Sequence, residues 1–441
     1  MIRKQVFVLK NFHGGIHPKE NKKQSRYFKI EDIAPPSFVV LPLSQHIGIK
    51  ANAVVAAGQT VLQGQKIAEA NGNISANIHS PISGVVEKIA PHLHPNGSII
   101  DCVFIKNDFK NTEIPNSVTK KNVADLSSEE IVSAVREAGI VGMGGAAFPT
   151  HVKLTPSNDK PIKTVIINGT ECEPYLTADY RAMLEYPEKI VMGALAISKA
   201  LGATEIFMVI EDNKKEAIET LKQYASALPA FNIVSLPTRY PQGSEKHIIY
   251  AIKGVEVPPG TLPADVGCIV DNVSTCVAIN DCLEEGTPLT HRIVTVAGDA
   301  FSHAQNYRVP IGTPISHIVE QHGGFSSEPN RILLGGPMMG FAQVSLDVPI
   351  IKGTGALLAL SKKEVERERE TACIRCGRCV DGCPMRLRPI NITNYVKRDN
   401  KEGLKKENIV DCIECGCCSY NCPAKIHLLQ WIKKGKGELS K

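Results

Sequence analysis

One cysteine pattern occurs twice in the last quarter of the chain and constrains its fold more than any other feature. Cys373-x-x-Cys376-x-x-Cys379-x-x-x-Cys383-Pro384 is followed by Cys412-x-x-Cys415-x-x-Cys418-x-x-x-Cys422-Pro423. Three thiols at this spacing wrap one iron–sulfide cluster and a remote fourth cysteine completes a coordination shell, so two runs imply two [4Fe–4S] cubanes. The proline after each fourth cysteine removes a backbone donor and cannot continue a helix. Zinc also takes C-x-x-C pairs, but four ligands close its shell and the third cysteine step has no use there. A segment folded around two cubanes points to electron transfer.

Eight of the fourteen cysteines fall in these runs, and the other six (Cys102, Cys172, Cys268, Cys276, Cys282, Cys417) show no disulfide framework. Thiols kept for iron imply a reducing compartment, hence the cytoplasm. The opening MIRKQVFVLKNF has neither an apolar core nor a cleavage site, so no signal peptide is expected. The longest weakly polar run, residues 190–198, is far short of the roughly 20 apolar residues that span a bilayer, so membrane contact is expected only through partners. The net charge of +5 does not signal nucleic acid. Residues 384–441 hold twelve Lys/Arg against six Asp/Glu and account for the whole excess. That charge can offset the anionic clusters or meet an acidic redox partner, and no nucleic-acid module accompanies it.

A chain of 441 residues exceeds a single core, and about two to four domains are expected. After Gly14-Gly15-Ile16-His17-Pro18, short β-type stretches punctuated by glycines predict an all-β unit. Residues 107–126 read as a polar linker. Ser127-x-x-Glu130 is a capping box that starts a helix ending at Gly139. Gly142-Met143-Gly144-Gly145-Ala146-Ala147-Phe148-Pro149-Thr150 follows, with Lys153 close behind. Glycines let backbone N–H groups approach a phosphate or flat ring, but this loop follows a helix, unlike a Rossmann loop, and lacks the G-K-[ST] of a Walker loop.

The apolar strand 164–167 ends in Asn168-Gly169-Thr170-Glu171-Cys172-Glu173-Pro174. Helices at 187–201 and 214–224 alternate with strands at 205–210 and 232–236, which predicts an α/β layer fold. Tyr240-Pro241-Gln242-Gly243-Ser244-Glu245-Lys246 and Asp271-Asn272-Val273-Ser274-Thr275 come next. Residues 291–358 contain a strand, a helix at 315–324 and Gly335-Gly336-Pro337-Met338-Met339-Gly340. His291, His303 and His317 have no metal-ligand spacing, and Met338–Met339 reads as packing. Residues 362–370 read as a charged helix leading into the cysteine runs.

These motifs carry resemblances. The doubled cysteine run is similar to two-cluster ferredoxins, in which the fourth cysteine of each run ligates the other cluster. That implies one cubane on Cys373, Cys376, Cys379 and Cys422, and another on Cys412, Cys415, Cys418 and Cys383. G-Q-x-V-x-x-G-Q followed by S-P-x-S-G-x-V, within residues 38–106, resembles the barrel-sandwich domains of biotinyl and lipoyl carriers. Asn73 stands where a carrier has its modified lysine, so a docking or structural role is implied.

The glycine loop with F-P-T-x-x-K, then N-x-x-E-x-E-P, G-S-E-K and D-N-V-x-T, resembles the FMN/NADH-binding subunit of respiratory complex I. The resemblance implies FMN held by Gly142, Gly144, Gly145, Lys153, Asn168, Glu171, Gly243, Asn272 and Thr275. Phe148, Glu173 and Glu245 would face the nicotinamide nucleotide, the two glutamates as the catalytic candidates. The chain departs from that family at Met143, Thr170 and Asp271.

Residues 291–358 resemble the β-grasp module called SLBB. The whole order is similar to the RnfC family of the ion-translocating Rnf complexes. It implies a multidomain α/β and α+β protein: an N-terminal all-β barrel sandwich (1–110), an α/β flavin and nucleotide domain (127–290), a β-grasp SLBB module (291–360) and a two-[4Fe–4S] ferredoxin-type domain (361–441). It further implies a peripheral subunit on the cytoplasmic side of the cell membrane, with FMN and NAD(H), other members of the complex and a ferredoxin-like redox partner. Two alternatives remain at this point. A microcompartment corrinoid reductase uses similar modules but tends to place the barrel sandwich after the clusters. A flavin-free electron wire would keep the glycine loops only as structure.

Overall fold

A computed structural model describes residues 9–115, 123–157, 159–365 and 369–439. The strands Phe38–Pro42, Thr60–Val61, Gly84–Leu93 and Ile99–Asn107 pair antiparallel in one sheet, and Asn52–Ala53, Lys66–Glu69 and Ile78–His79 in another. Val39, Leu41, Val61, Ile67, Val86, Val103 and Ile105 fill the space between them. Alternation along each strand sends these β-branched and leucine side chains inward.

The α/β unit begins with the helix Ser128–Glu137, whose start carries both hydrogen bonds of the Ser127/Glu130 capping box. Its central sheet is parallel, in the order Phe231–Leu236, Glu205–Glu211, Thr164–Gly169, Cys268–Asn272. The strands read as continuous apolar runs because both faces are covered. Val165 and Ile167 join one core, and Ile166, Phe207 and Val270 join the other. The first strand in the chain is central, with the second and third added on one side and the fourth on the other. The topological switch point therefore lies between Asn168 and Asn272, which are register partners at the carboxyl ends of neighbouring strands. Sheets of this kind bind ligands in the crevice at that point.

His291–Ala297, Gln305–Pro310, Arg331–Leu334, Phe341–Gln343 and Ala356–Leu360 form a mixed sheet around the helix Ile315–Gln321. Its sixth strand is Glu31–Asp32, paired parallel to Gln305–Pro310. This strand belongs to a segment that sequence patterning assigns to the first module. Residues 10–33 do something else: they run as a strap across the rest of the molecule. Lys10 N–H donates to Ala251, Gly15 to Gly382 and Ile16 to Tyr240, while Glu20 accepts from Tyr175 N–H. The strap lacks any two-residue apolar period, so its docking depends on tertiary partners. Part of the 107–126 linker (116–122) and of the 362–370 helix (366–368) lies outside the described residues; within the latter, Lys362–Val365 is helical.

Gly139, at φ +65°, shows why the helix must end in glycine. A Cβ there would stand 2.2 Å from the Asn77 carbonyl oxygen and 2.9 Å from Lys352 Nζ. Barrel sandwich, α/β unit and β-grasp sheet meet at this point.

Candidate functional site

Around the switch point the sequence-nominated residues form three groups. In the first, Lys153 Nζ donates to Glu245 Oε1 at 2.8 Å and to the Val270 carbonyl at 2.7 Å, and stands 3.9 Å from Asp271 Oδ1. Asp271 is buried, and neither carboxylate oxygen has a hydrogen-bond partner. Burial pushes its carboxyl up to about 6 despite the nearby lysine. The same two acids hold the Lys153 ammonium above its ordinary value against desolvation.

In the second group, Asn168 Nδ2 donates to the Gly243 carbonyl at 2.9 Å, while its Oδ1 accepts from the Thr170 N–H and hydroxyl. In the third, Met143 N–H donates to Thr275 Oγ1 at 3.1 Å, and Gly144 lies against Asn272 so closely that a Cβ would come within 2.9 Å of it. Asn272 caps the helix Val273–Glu285 and donates to Asp179 Oδ2 at 2.7 Å. Gly142 N–H donates to the Phe148 carbonyl and closes the loop. No backbone hydrogen bond among the described residues uses the N–H of Gly144, Gly145, Ala146 or Ala147. Gly145 has open space beside it. This turn lays its backbone N–H donors beside a 13-residue helix N-terminus, which suits the phosphate and flat ring of FMN.

Two nominated residues face elsewhere. Glu171 accepts from Asp179 N–H at 2.7 Å and Tyr180 N–H at 3.3 Å and pairs with Lys22 of the strap. It anchors the helix Ala178–Glu185 rather than the crevice. Glu173 accepts from Met338 N–H at 3.1 Å and Met339 N–H at 2.9 Å, clamping the loop 335–340. Burial pushes each of these carboxyls up to about 7. Their roles depend on contacts more than 150 residues away for Glu173 and on the unpatterned strap for Glu171, and no local signal announces either.

The cysteine runs fold as a repeat offset by 39 residues, Cys373 to Cys412. Arg375 and Glu414, Gly377 and Gly416, and Arg386 and Lys425 share positive φ, and short helices fall at Arg378–Asp381 and Cys417–Tyr420. Cys373 and Cys412 each accept a backbone N–H two residues on, at 3.4 Å. One cavity is lined by Cys412, Cys415 and Cys418 of the second run together with Cys383 of the first, among Met385, Leu387, Ile413 and Ile432. Cys422 of the second run and Cys379 of the first pack into one cluster. None of the fourteen cysteines is in a disulfide. Burial raises the Cys383 thiol and pushes Cys412 up to about 11. The second run is largely buried; Cys373 and Cys376 of the first are exposed.

Residues absent from the sequence-level site complete it. Arg292, buried in the β-grasp sheet, donates to the Met143 carbonyl at 3.3 Å and holds the glycine loop from behind. Its burial lowers the guanidinium to about 10. His151, just after the loop, lies close enough to the Asn73 backbone for that group to favour its charged form, so the barrel-sandwich hairpin tip lies beside the loop.

A switch-point cradle joined to a two-run cysteine domain defines the class of flavin and iron–sulfur electron-transfer proteins. Family models match in the same order: the RnfC barrel sandwich hybrid domain over residues 10–110, the Nuo51 FMN-binding domain over 135–281, the SLBB domain over 293–342 and a 4Fe-4S dicluster domain over 365–423. Three relatives are the corresponding subunits of ion-translocating oxidoreductase complexes. The chain is 46% identical over 89% of its length to that of the proton-translocating ferredoxin:NAD(+) oxidoreductase complex of Clostridium ljungdahlii, covering 86% of it. It is 42% identical over 88% of its length to that of the Na(+)-translocating ferredoxin:NAD(+) oxidoreductase complex of Acetobacterium woodii, covering 88% of it. It is also 43% identical over 98% of its length to that of the ion-translocating oxidoreductase complex of Rhodobacter capsulatus, covering 83% of it. The chain belongs to this family, RnfC. Among solved structures, chains of an NAD+-reducing [NiFe]-hydrogenase share the fold at TM-scores of 0.51 and 0.53, with 17% and 19% identity. Each match covers 72% of this chain and slightly under two thirds of the other, 65% and 64%.

Proposed function

We propose that the chain exchanges electrons between NAD(H) and two iron–sulfur clusters through FMN, as the RnfC member of an ion-translocating ferredoxin:NAD+ oxidoreductase complex. The observation that carries this is that one segment borders both parts: Gly243 accepts from Asn168 in the cradle, and the Tyr240 hydroxyl donates to the Cys415 carbonyl of the second cysteine run at 2.8 Å. Bound FMN would supply the conversion between a hydride pair and single electrons. The protein's part is placement: Gly142, Gly144 and Gly145 bring backbone donors to the flavin, and Lys153, Asn168, Gly243, Asn272 and Thr275 frame it.

Glu245, partly exposed and held by Lys153, is proposed to face the nicotinamide together with Phe148. Glu173 is proposed to act one layer back, fixing the wall formed by Met338 and Met339, and Glu171 to brace the strand end beneath the cradle. The clusters are proposed to take Cys373, Cys376, Cys379 and Cys422, and Cys412, Cys415, Cys418 and Cys383. The proposed modules are residues 1–110, 127–290, 291–360 and 361–441, with the strap 10–33 crossing between them.

No helix among the described residues is long and apolar enough to cross a membrane. Attachment is proposed to run through partner subunits, on the cytoplasmic side. The exposed loop of the first run, with Ile374 uncovered and Arg375 and Arg378 beside it, suits an acidic, ferredoxin-like partner. Anaerobically purified protein should release FMN on acid treatment and contain about eight irons, and NADH should bleach its visible spectrum. Iron without flavin would favour an electron wire instead.

A further inference from the structure

The segment from Tyr240 to His247 touches both the cradle and the second cysteine cavity. Its middle belongs to the cradle: Gly243 is held by Asn168, and Glu245 by Lys153. Its two ends reach the other way. Tyr240, 1% exposed, donates its hydroxyl to the Cys415 carbonyl at 2.8 Å. His247, 5% exposed, lies with Nε2 3.3 Å from the carbonyl of Pro384, the residue after Cys383. A carbonyl only accepts, so this nitrogen carries the proton.

The chain around these contacts reinforces them. Ile16 exchanges two backbone hydrogen bonds with Tyr240, and Gly15 N–H donates to Gly382, next to Cys383. A Cβ on Gly15 would meet the Tyr240 carbonyl at 2.7 Å, and one on Gly14 the Cys383 carbonyl at 2.8 Å. Phe12 packs its ring on His247 at 4.5 Å. The Gly14-Gly15-Ile16 motif is therefore a clip that presses this segment onto the ligand loops.

We infer that Tyr240 and His247 are positioning residues for electron exchange. They hold the ligand loops of Cys415 and Cys383 at a fixed distance from the flavin cradle, and their donors polarise the peptide groups beside two thiolate ligands. Outer hydrogen bonds of this kind orient ligands and tune a cluster's potential. The inference rests on the cluster assignment proposed above and adds that the second cluster is tuned from the flavin side while the first is not.

The test uses the full chain, reduced with dithionite and followed by EPR redox titration. Tyr240→Phe keeps the ring and removes one donor; His247→Phe removes the other and keeps the stacking shape. Each should retain the iron and flavin content of the wild type. Each should shift the midpoint of the signal that Cys415→Ser abolishes, leave the other signal unchanged, and slow NADH-driven appearance of the shifted signal by about tenfold. A tenfold change in the one-electron equilibrium corresponds to about 59 mV. Unaltered midpoints and rates in both variants would overturn the inference, and so would loss of iron, since the hydroxyl and imidazole would then be folding contacts only. Failure of the wild type to show two cluster signals would instead overturn the cluster assignment.

Discussion

Lys352 Nζ lies 2.6 Å from the carbonyl oxygen of Gly139 and 2.5 Å from that of Asn77, and no acid among the described residues pairs with it. The side chain is 1% exposed, and desolvation lowers its pKa from 10.5 to about 7. A neutral amine has two N–H donors, which matches the two carbonyls. The folded state therefore holds fewer protons than the unfolded chain between about pH 7 and 10.5, and stability rises with pH across that window. Against Lys352→Met, which strands both carbonyls, the wild type's advantage in unfolding free energy should widen from about pH 7 to about pH 10, by at most about 1.4 kcal/mol per pH unit. A constant gap would show that the amine is charged in place.

Lys153 and Asn168 approach the cradle from separate segments. The double variant Lys153→Ala/Asn168→Ala should lose flavin while keeping its iron. Retained stoichiometric FMN would remove both residues from the cofactor site.

Glu245→Gln should slow NADH oxidation by about tenfold, because misplacing a reactant costs rate rather than cofactor. Dithionite reduction of the clusters should be unchanged. Glu173→Gln keeps only one good acceptor for Met338 and Met339 and should lower the unfolding free energy by about 1–3 kcal/mol for the lost buried bond. Equal NADH kinetics in wild type and Glu245→Gln would exclude a nicotinamide-facing role.

Crossed ligation is directly testable. Cys383→Ser should perturb the EPR signal that Cys415→Ser perturbs and spare the one that Cys376→Ser perturbs. Cys417, buried beside Tyr240 and outside the motif spacing, is the control: Cys417→Ser should retain about eight irons. If Cys383→Ser mimics Cys376→Ser, each run closes its own cluster.

The parts legible in the sequence are those written in local chemistry. Cysteine spacing, the Ser127/Glu130 capping box, the helix-ending Gly139 and the apolar parallel strands are each set by residues a few positions apart, so they can be read without a fold. Which side chains meet is not legible. Glu171 and Glu173, two residues apart, diverge to Lys22 and to the Met338 loop because a turn with positive φ at Glu171 points them at different modules. Lys352 is invisible as a junction, since a lysine among glycines and threonines reads as surface. The strap 10–33 has no periodicity of its own. Its position is fixed by hydrogen bonds to Ala251, Gly382, Tyr240 and Tyr175, partners that only a folded chain brings within reach. Short-range sterics and ligand spacing are properties of the sequence, whereas burial, and with it the charge state and partner of each acid and lysine, is decided by tertiary packing.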